Sequence, residues 1–147
     1  MKANQSPISL QNFAVLQSHY DFIKPSRTPK DVKKIFKSYE LDIDFAHHFE
    51  EDGTIHVFVK ITVNNISKPL YGYKFLVEGA GIFQLKEADI SDSEKKNLKF
   101  YSTVSILIGY LRNTIISLSS SGPFGSYILP PIDMADLFNK KSEQSKA

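Results

Sequence analysis

Cysteine is absent from the chain, which excludes a disulfide framework and thiolate chemistry. Long apolar runs are absent too. The most apolar stretch, Val104 to Leu111, covers less than half of the roughly 20 residues that a membrane helix needs, and Arg112 follows it. Met1 to Leu10 lacks the apolar segment of a secretory signal. These absences point to a cytoplasmic protein with no membrane insertion. Net charge is scarce as well, at +2, but what charge there is sits in blocks. Lys24 to Lys37 carries six basic residues against the single acid Asp31, and Glu40 to Asp52 carries six acids with no lysine or arginine. Such blocks read as two oppositely charged surfaces. A nucleic-acid footprint would need basic residues interleaved with aromatics or set in a known motif, so no nucleic-acid partner is expected.

Catalytic constellations are equally sparse. In His47-His48-Phe49-Glu50-Glu51-Asp52, neighbouring side chains of a strand point to opposite faces and do not converge on a metal. Gly79-Ala80-Gly81 lacks the third glycine and the immediate helix of a dinucleotide loop. Ser117, Ser119, Ser120 and Ser121 have no nucleophile-elbow context, and Glu78 is a lone carboxylate. No catalytic residue, metal or cofactor is assigned, and an enzyme is not expected.

What is present is alternation. Ile8 to Ile23 reads as a first strand, open to a bulge, that stops at Lys24-Pro25. Pro25 to Lys37 reads as a connection with one short turn near Val32 to Phe36. From Tyr39 to Phe45 every odd position is apolar and every even one acidic, giving one dry and one anionic face. Glu51-Asp52-Gly53 is a hairpin signal. The next strand puts Ile55, Val57, Val59, Ile61 and Val63 on one face, and a fourth from Tyr71 to Leu85 aligns Tyr73, Phe75 and Val77. The glycines at 79 and 81 imply a bulge there or a close backbone approach.

The period then changes. Ser91-Asp92-Ser93-Glu94 has the spacing of a capping box. A helix of about 28 residues follows, closed by Gly122-Pro123. From Val104 to Leu118 it is apolar nearly all round, more than one small sheet can cover. A second copy of the helix would cover the rest, so a homo-oligomer is expected, with Val104, Ile108, Leu111 and Ile115 at its interface. Asp133 caps a short final helix, Met134 to about Phe138. The fold class is α+β: a four-stranded antiparallel sheet, one long helix and a short C-terminal helix. Residues 1–138 form a single domain, and 139–147 a frayed tail.

Three stretches resemble the SecB export-chaperone family. Gly79-Ala80-Gly81-Ile82-Phe83 is similar to its "GGIF" turn. Tyr101 to Arg112 resembles its helix segment "Y-C-P-N-I-L-F-P-Y-A-R", with one extra residue near the start. Leu118 to Phe138 resembles "L-V-S-R-G-T-F-P-…-L-P-P-I-N-F-D-A-L-F", with Gly122, Phe124, Leu129, Pro130, Pro131, Ile132, Leu137 and Phe138 in register. Together these lie within residues 72 to 138. The resemblance implies dimers pairing into a tetramer, and grooves that hold unfolded polypeptide without ATP. By register, one groove wall would be Ile35, Phe36, Tyr39, Leu41 and Ile43, and the other Phe124, Tyr127 and Ile128, with Leu129 and Ile132 left to the core. Exposed loop aromatics such as Phe124 and Tyr127 favour recognition over packing. The family docks on the SecA translocase through acidic residues on the first and fourth strands. Here those positions are His19, Ile23 and Leu76, with Lys74 alongside and Asp21 and Glu78 nearby, which puts SecA docking in question. A chaperone dedicated to one partner, such as an antitoxin, and a plain interaction module are the other readings.

Overall fold

A computed structural model describes residues 1–86 and 89–146. Strand β1 (Ile8–Ile23) leads through a crossover to helix α1 (Val32–Ser38), then to β2 (Leu41–Phe49), β3 (Thr54–Val63) and β4 (Gly72–Leu85). The helical half comprises α2 (Asp92–Asn97), a π-helical turn (Leu98–Ser102), α3 (Thr103–Ser119) and α4 (Met134–Lys146). The strands form one antiparallel sheet in the order β1-β4-β3-β2, so β1 and β2 are its edges.

Alternation decides which face is dry. Ile55, Val57, Val59, Ile61 and Val63 of β3 and Tyr73, Phe75, Val77 and Phe83 of β4 are buried on the face that α3 covers. The opposite face has no helix over it among the described residues. There Ala46, Phe58, Ala80 and Ala14 lie in one cross-strand row. The expected hairpin forms at Glu51–Gly53: Gly53 takes a φ of 87°, and the Glu50 amide donates to the Thr54 carbonyl at 2.9 Å.

The sequence left bulge and close approach open at Gly79–Gly81, and the structure separates them. The register slips lie in β1, between Leu10 and Asn12 and between Val15 and Gln17. The glycines serve close approach. A Cβ on Gly81 would stand 2.7 Å from Leu107 Cδ2, and one on Gly79 would stand 3.0 Å from Leu111 Cδ2. Helix α3 therefore lies directly on β4 backbone.

That seating corrects the expected interface. Val104, Ile108, Leu111 and Ile115 are at most 2% exposed and pack on the chain's own sheet. They follow i, i+4, i+7, i+11 spacing, which is a single stripe, and that stripe is the one the sheet takes. Tyr110 points outward and remains exposed, with Phe13 of β1 packed against its ring.

Other boundaries shift for local reasons. The Ser91 hydroxyl accepts the Glu94 amide, as the capping pattern requires. The helix ends at Ser119, before Gly122, where Ser119 Oγ donates to the Ile115 carbonyl and accepts the Tyr127 amide. The turn expected near Val32 is a seven-residue helix, with the Asp31 carboxylate accepting the Lys34 amide. Helix α4 runs on to Lys146 instead of stopping near Phe138. An Asp136–Lys140 pair at i,i+4 spacing and a Lys141–Asp44 bridge to β2 hold the added turns. Ala147 of the expected tail lies outside the described residues.

Two glycine substitutions test the seating of α3. Gly81→Val is expected to cost about 1–3 kcal/mol through overpacking against Leu107. Gly109→Ala, whose added methyl meets nothing within 4 Å, is expected to gain about 0.5–1 kcal/mol from helix propensity. Urea unfolding midpoints of the two variants should move in opposite directions.

Candidate functional site

Two aromatic assemblies lie at the two ends of edge strand β2. The first forms where the crossover and the post-helix loop meet. Phe36 of α1 stacks on Tyr73 with centroids 5.7 Å apart and meets Tyr127 edge-on at 5.2 Å, while Tyr39 lies 5.8 Å from Tyr127. Phe22 of β1 meets Phe124 edge-on at 5.2 Å. Hydroxyls lock this cluster to backbone. Tyr39 donates to the Tyr71 carbonyl and accepts the Tyr73 amide. Tyr73 donates to the Gly125 carbonyl and accepts the Phe124 amide. Gly72, at a φ of 99°, leaves room for the Tyr39 hydroxyl, with which a Cβ there would collide. Burial raises the pKa of Tyr39 and Tyr73 and pushes Tyr127 up to about 12. These phenols therefore stay protonated, and those of Tyr39 and Tyr73 act as hydrogen-bonding struts, not bases.

Asn64 completes the frame. It is buried at a φ of 55°, a conformation asparagine tolerates. Its amide nitrogen donates to the Leu70 and Tyr73 carbonyls and its oxygen accepts the Leu70 amide, all within 2.9 Å. The β3–β4 connection is thereby fixed beside the cluster.

Between the two assemblies runs a groove. Its strand side is Leu41, Ile43 and Phe45 of β2, and its helix side is Ile132, Leu137 and Lys141. Leu41 and Ile43 are half-buried, whereas Phe45 is covered by Phe138 at 4.8 Å. Lys141 crosses the groove end: its ammonium donates to Asp44 Oδ1 at 2.7 Å and lies 5.4 Å from the Phe45 ring centre. The Lys141 hydrogen bond, more than any other contact, lowers the Asp44 pKa.

The second assembly gathers Phe45, His47, Phe49, Phe100, Tyr101 and Phe138. Phe49, Phe100 and Tyr101 are exposed. His47 Nε2 lies 3.1 Å from the Phe100 carbonyl and 3.2 Å from Thr103 Oγ1. Thr103 gives its own proton to the Lys99 carbonyl, so both neighbours of Nε2 can only accept. Nε2 must then carry the hydrogen of the neutral ring. Desolvation, aided by the Lys141 charge, lowers the His47 pKa against the opposing effect of the Phe100 carbonyl.

The sequence-derived groove residues thus divide. Phe36, Tyr39, Phe124 and Tyr127 come together, but as a packed cluster. Tyr127 and Tyr39 are 2% and 5% exposed, which corrects the expectation that Tyr127 is a loop aromatic free for recognition. Ile35 is half-buried against the same core. Leu41 and Ile43 line the groove, and Ile128 projects into solvent at 64% exposure. Leu129 is core as expected. Sequence reasoning missed the helix side and the second assembly. Their signal was the stripe Met134, Leu137, Phe138 and Lys141 at i, i+3, i+4, i+7, which runs past the expected helix end. Among the described residues, no group of three histidine or acidic side chains is placed to hold a metal ion, and no helix is long and apolar enough to cross a membrane. Of the positions that the resemblance aligned with SecA contacts, His19 pairs with Leu76 and Ile23 with Gly72, while the nearby Asp21 pairs with Lys74.

The profile of preprotein translocase subunit SecB matches residues 26–145. The chain belongs to the SecB family. A protein-export protein SecB of Wolbachia pipientis subsp. Culex pipiens is 28% identical over 96 residues, 64% of this chain and 58% of that protein. The chain therefore spans less than two thirds of that relative. The SecB of Hydrogenovibrio crunogenus is 27% identical over 111 residues, 73% of each chain. A Mycobacterium tuberculosis SecB-like chaperone, solved with a peptide from the HigA1 antitoxin, shares the fold at a TM-score of 0.54 and 15% identity, covering 85% of this chain and 90% of that one.

His47 of the second assembly gives a pH test. Because the folded pKa of His47 lies below its ordinary value, the unfolded chain takes the proton first. Stability is therefore full above the unfolded histidine pKa and falls as pH drops through about 6.5 towards the folded value. His47→Gln keeps a donor without titrating. From pH 7 to pH 5 the wild type is expected to lose more unfolding free energy than this variant. Equal losses would show that His47 is not desolvated.

Proposed function

We propose that this protein is an ATP-independent holdase that keeps polypeptides unfolded by binding extended segments along the β2–α4 groove. The observation that carries this reading is the groove itself. Half-buried Leu41 and Ile43 of edge strand β2 form its apolar floor, with an aromatic assembly at each end. Family membership supports a chaperone role in protein handling. Apolar burial contributes about 25 cal/mol per Å² whatever the side-chain order, which suits many clients. Ordering a bound segment costs about 1–2 kcal/mol per residue and offsets most of that gain, so each site is weak and reversible. Several segments of one client then add through effective concentration.

A second copy fits the outward side of α3. Tyr110, Val15 and Leu16 are 47%, 44% and 54% exposed and lie where β1 borders the helix. This surface replaces the buried stripe as the candidate self-association face. Tyr110→Lys is expected to lower the mass measured by light scattering; an unchanged mass would remove this face from the interface.

The groove is tested with a reduced, carboxymethylated and permanently unfolded protein as client. The wild type is expected to bind it and to suppress aggregation of several unrelated proteins without ATP. Ile43→Asp is expected to weaken binding about tenfold by placing a charge on the apolar floor, with helix content unchanged by circular dichroism. Tyr127→Asp is expected to unfold the domain. Protection of none of these clients would defeat the generalist reading, leaving a chaperone dedicated to one partner, such as an antitoxin, or a non-chaperone interaction module. Capture of a single antitoxin, as in the M. tuberculosis complex, would select the former.

A further inference from the structure

Neighbouring side chains of a strand leave on opposite faces, so His47 and His48 separate. His47 joins the second assembly, and His48 turns to the uncovered face of the sheet, directly opposite His56 of β3. The Glu50 amide donates to the Thr54 carbonyl, and hydrogen-bonded pairs alternate along an antiparallel ladder. His48 and His56 are thus a hydrogen-bonded pair, whose Cα atoms stand about 5.5 Å apart. Their ring centroids are 6.0 Å apart. With metal–nitrogen bonds of about 2.0–2.1 Å, two imidazoles that share one ion hold their ring centres about 5–6 Å apart. The ladder therefore brings the rings close to that spacing with the backbone as it is.

Both rings keep a nitrogen lone pair for a ligand. His56 Nε2 lies 2.8 Å from Glu50 Oε1. A carboxylate only accepts, so Nε2 carries the hydrogen of the neutral ring and Nδ1 keeps its lone pair. A carboxylate on the far nitrogen is the support that metal-ligating histidines use. Of the four histidines, His19, His47 and His56 have ring hydrogen bonds, and His48 has none among the described residues. Charge favours a cation here. Glu40 to Val59 contains six acidic residues and no lysine or arginine, with Glu50, Glu51 and Asp52 at this end of the hairpin. The His56 and Glu50 side chains are 29% and 43% exposed, so an ion can reach them from solvent.

We propose that His48 and His56 chelate a first-row divalent cation that favours imidazole, Cu²⁺ ahead of Zn²⁺, with Glu50 orienting His56 and water completing the coordination. Two protein ligands fall short of the three or four of catalytic and structural sites, so binding is modest and exchangeable. Mg²⁺ and Ca²⁺ take oxygen ligands and are rejected. The effect of the ion is on the sheet. Strand β2 pairs only with β3, and an ion shared by residues 48 and 56 ties the two strands beside the hairpin turn. Since the unfolded chain does not hold the two rings together, the bound ion stabilises the fold by mass action. Chelation here requires nothing of the client groove.

The probes are Cu²⁺, Zn²⁺ and Mg²⁺, titrated by calorimetry into the full chain without an affinity tag. One Cu²⁺ per chain is expected to bind, with Zn²⁺ at least about tenfold weaker and Mg²⁺ not detected. Substoichiometric Cu²⁺ is expected to broaden the NMR ring signals of His48 and His56 before those of His19 and His47. His48→Asn and His56→Asn are each expected to weaken Cu²⁺ binding at least about tenfold, and His19→Asn to leave it unchanged. Wild-type amide spectra in these variants would show that the fold is kept. Ring ¹⁵N shifts of the metal-free chain are expected to place the His56 hydrogen on Nε2, and Glu50→Gln to lose that preference. Saturating Zn²⁺ is expected to raise the urea midpoint of the wild type and not of His48→Asn. If Cu²⁺ does not bind at millimolar concentration, or binds as well after both histidine substitutions, the chelate is wrong.

Discussion

Helix α3 can lie on this sheet because β4 has no side chain at the two places where the helix comes closest. Leu107 and Leu111 occupy the space that Cβ atoms on Gly81 and Gly79 would need. With those two leucines seated, the stripe from Val104 to Ile115 closes the β3–β4 face. The rest of the molecule follows from this packing. The helix exit at Ser119 lies beside Tyr127, and Arg112 pins the returning chain through the Leu129 carbonyl at 2.8 Å. The post-helix loop is thereby brought onto the aromatic cluster.

The phenols then turn a packing contact into a fixed geometry. Tyr39 and Tyr73 each use their hydroxyl twice, once as donor and once as acceptor, and each bond ties side chain to backbone of a different segment. Crossover, β4 start and post-helix loop are joined at one point. Since burial keeps the phenols protonated, these ties persist across the physiological range. What they hold in place is strand β2, with one edge paired to β3 and the other left open beside α4. An edge strand of this kind is a hazard that proteins blunt with charge. Here Asp44 and Lys141 blunt part of it, and the remainder is the surface that the proposed function uses.

Legibility in the sequence followed the range of the interaction. The alternation in β3 and β4, the Gly53 turn and the Ser91 cap depend on neighbours a few residues apart, and each was readable. Period two placed Leu41 and Ile43 on one face, and the resemblance to SecB made them groove candidates. Tyr127 was misread because its burial comes from Phe36, Tyr39 and Phe75, all distant in sequence. Val104, Ile108, Leu111 and Ile115 were assigned to an interface because an apolar run in a helix does not say whether its cover is the same chain or another. His47 gave no sign of its partners, since the Phe100 carbonyl and Thr103 become neighbours only when the π-helical turn packs beside β2.

By itself the sequence determined the element types, their order, the dry face of each strand and the resemblance to SecB, because these rest on local periodicity and short motifs. Only the tertiary structure decided which side of α3 the sheet consumes, that Tyr39 and Tyr127 are buried inside the fold, and that α4 extends to form a wall opposite β2. Those outcomes depend on where surfaces distant in the chain meet. Whether β2 is an edge is likewise a property of strand order, to which the residues of β2 alone are blind.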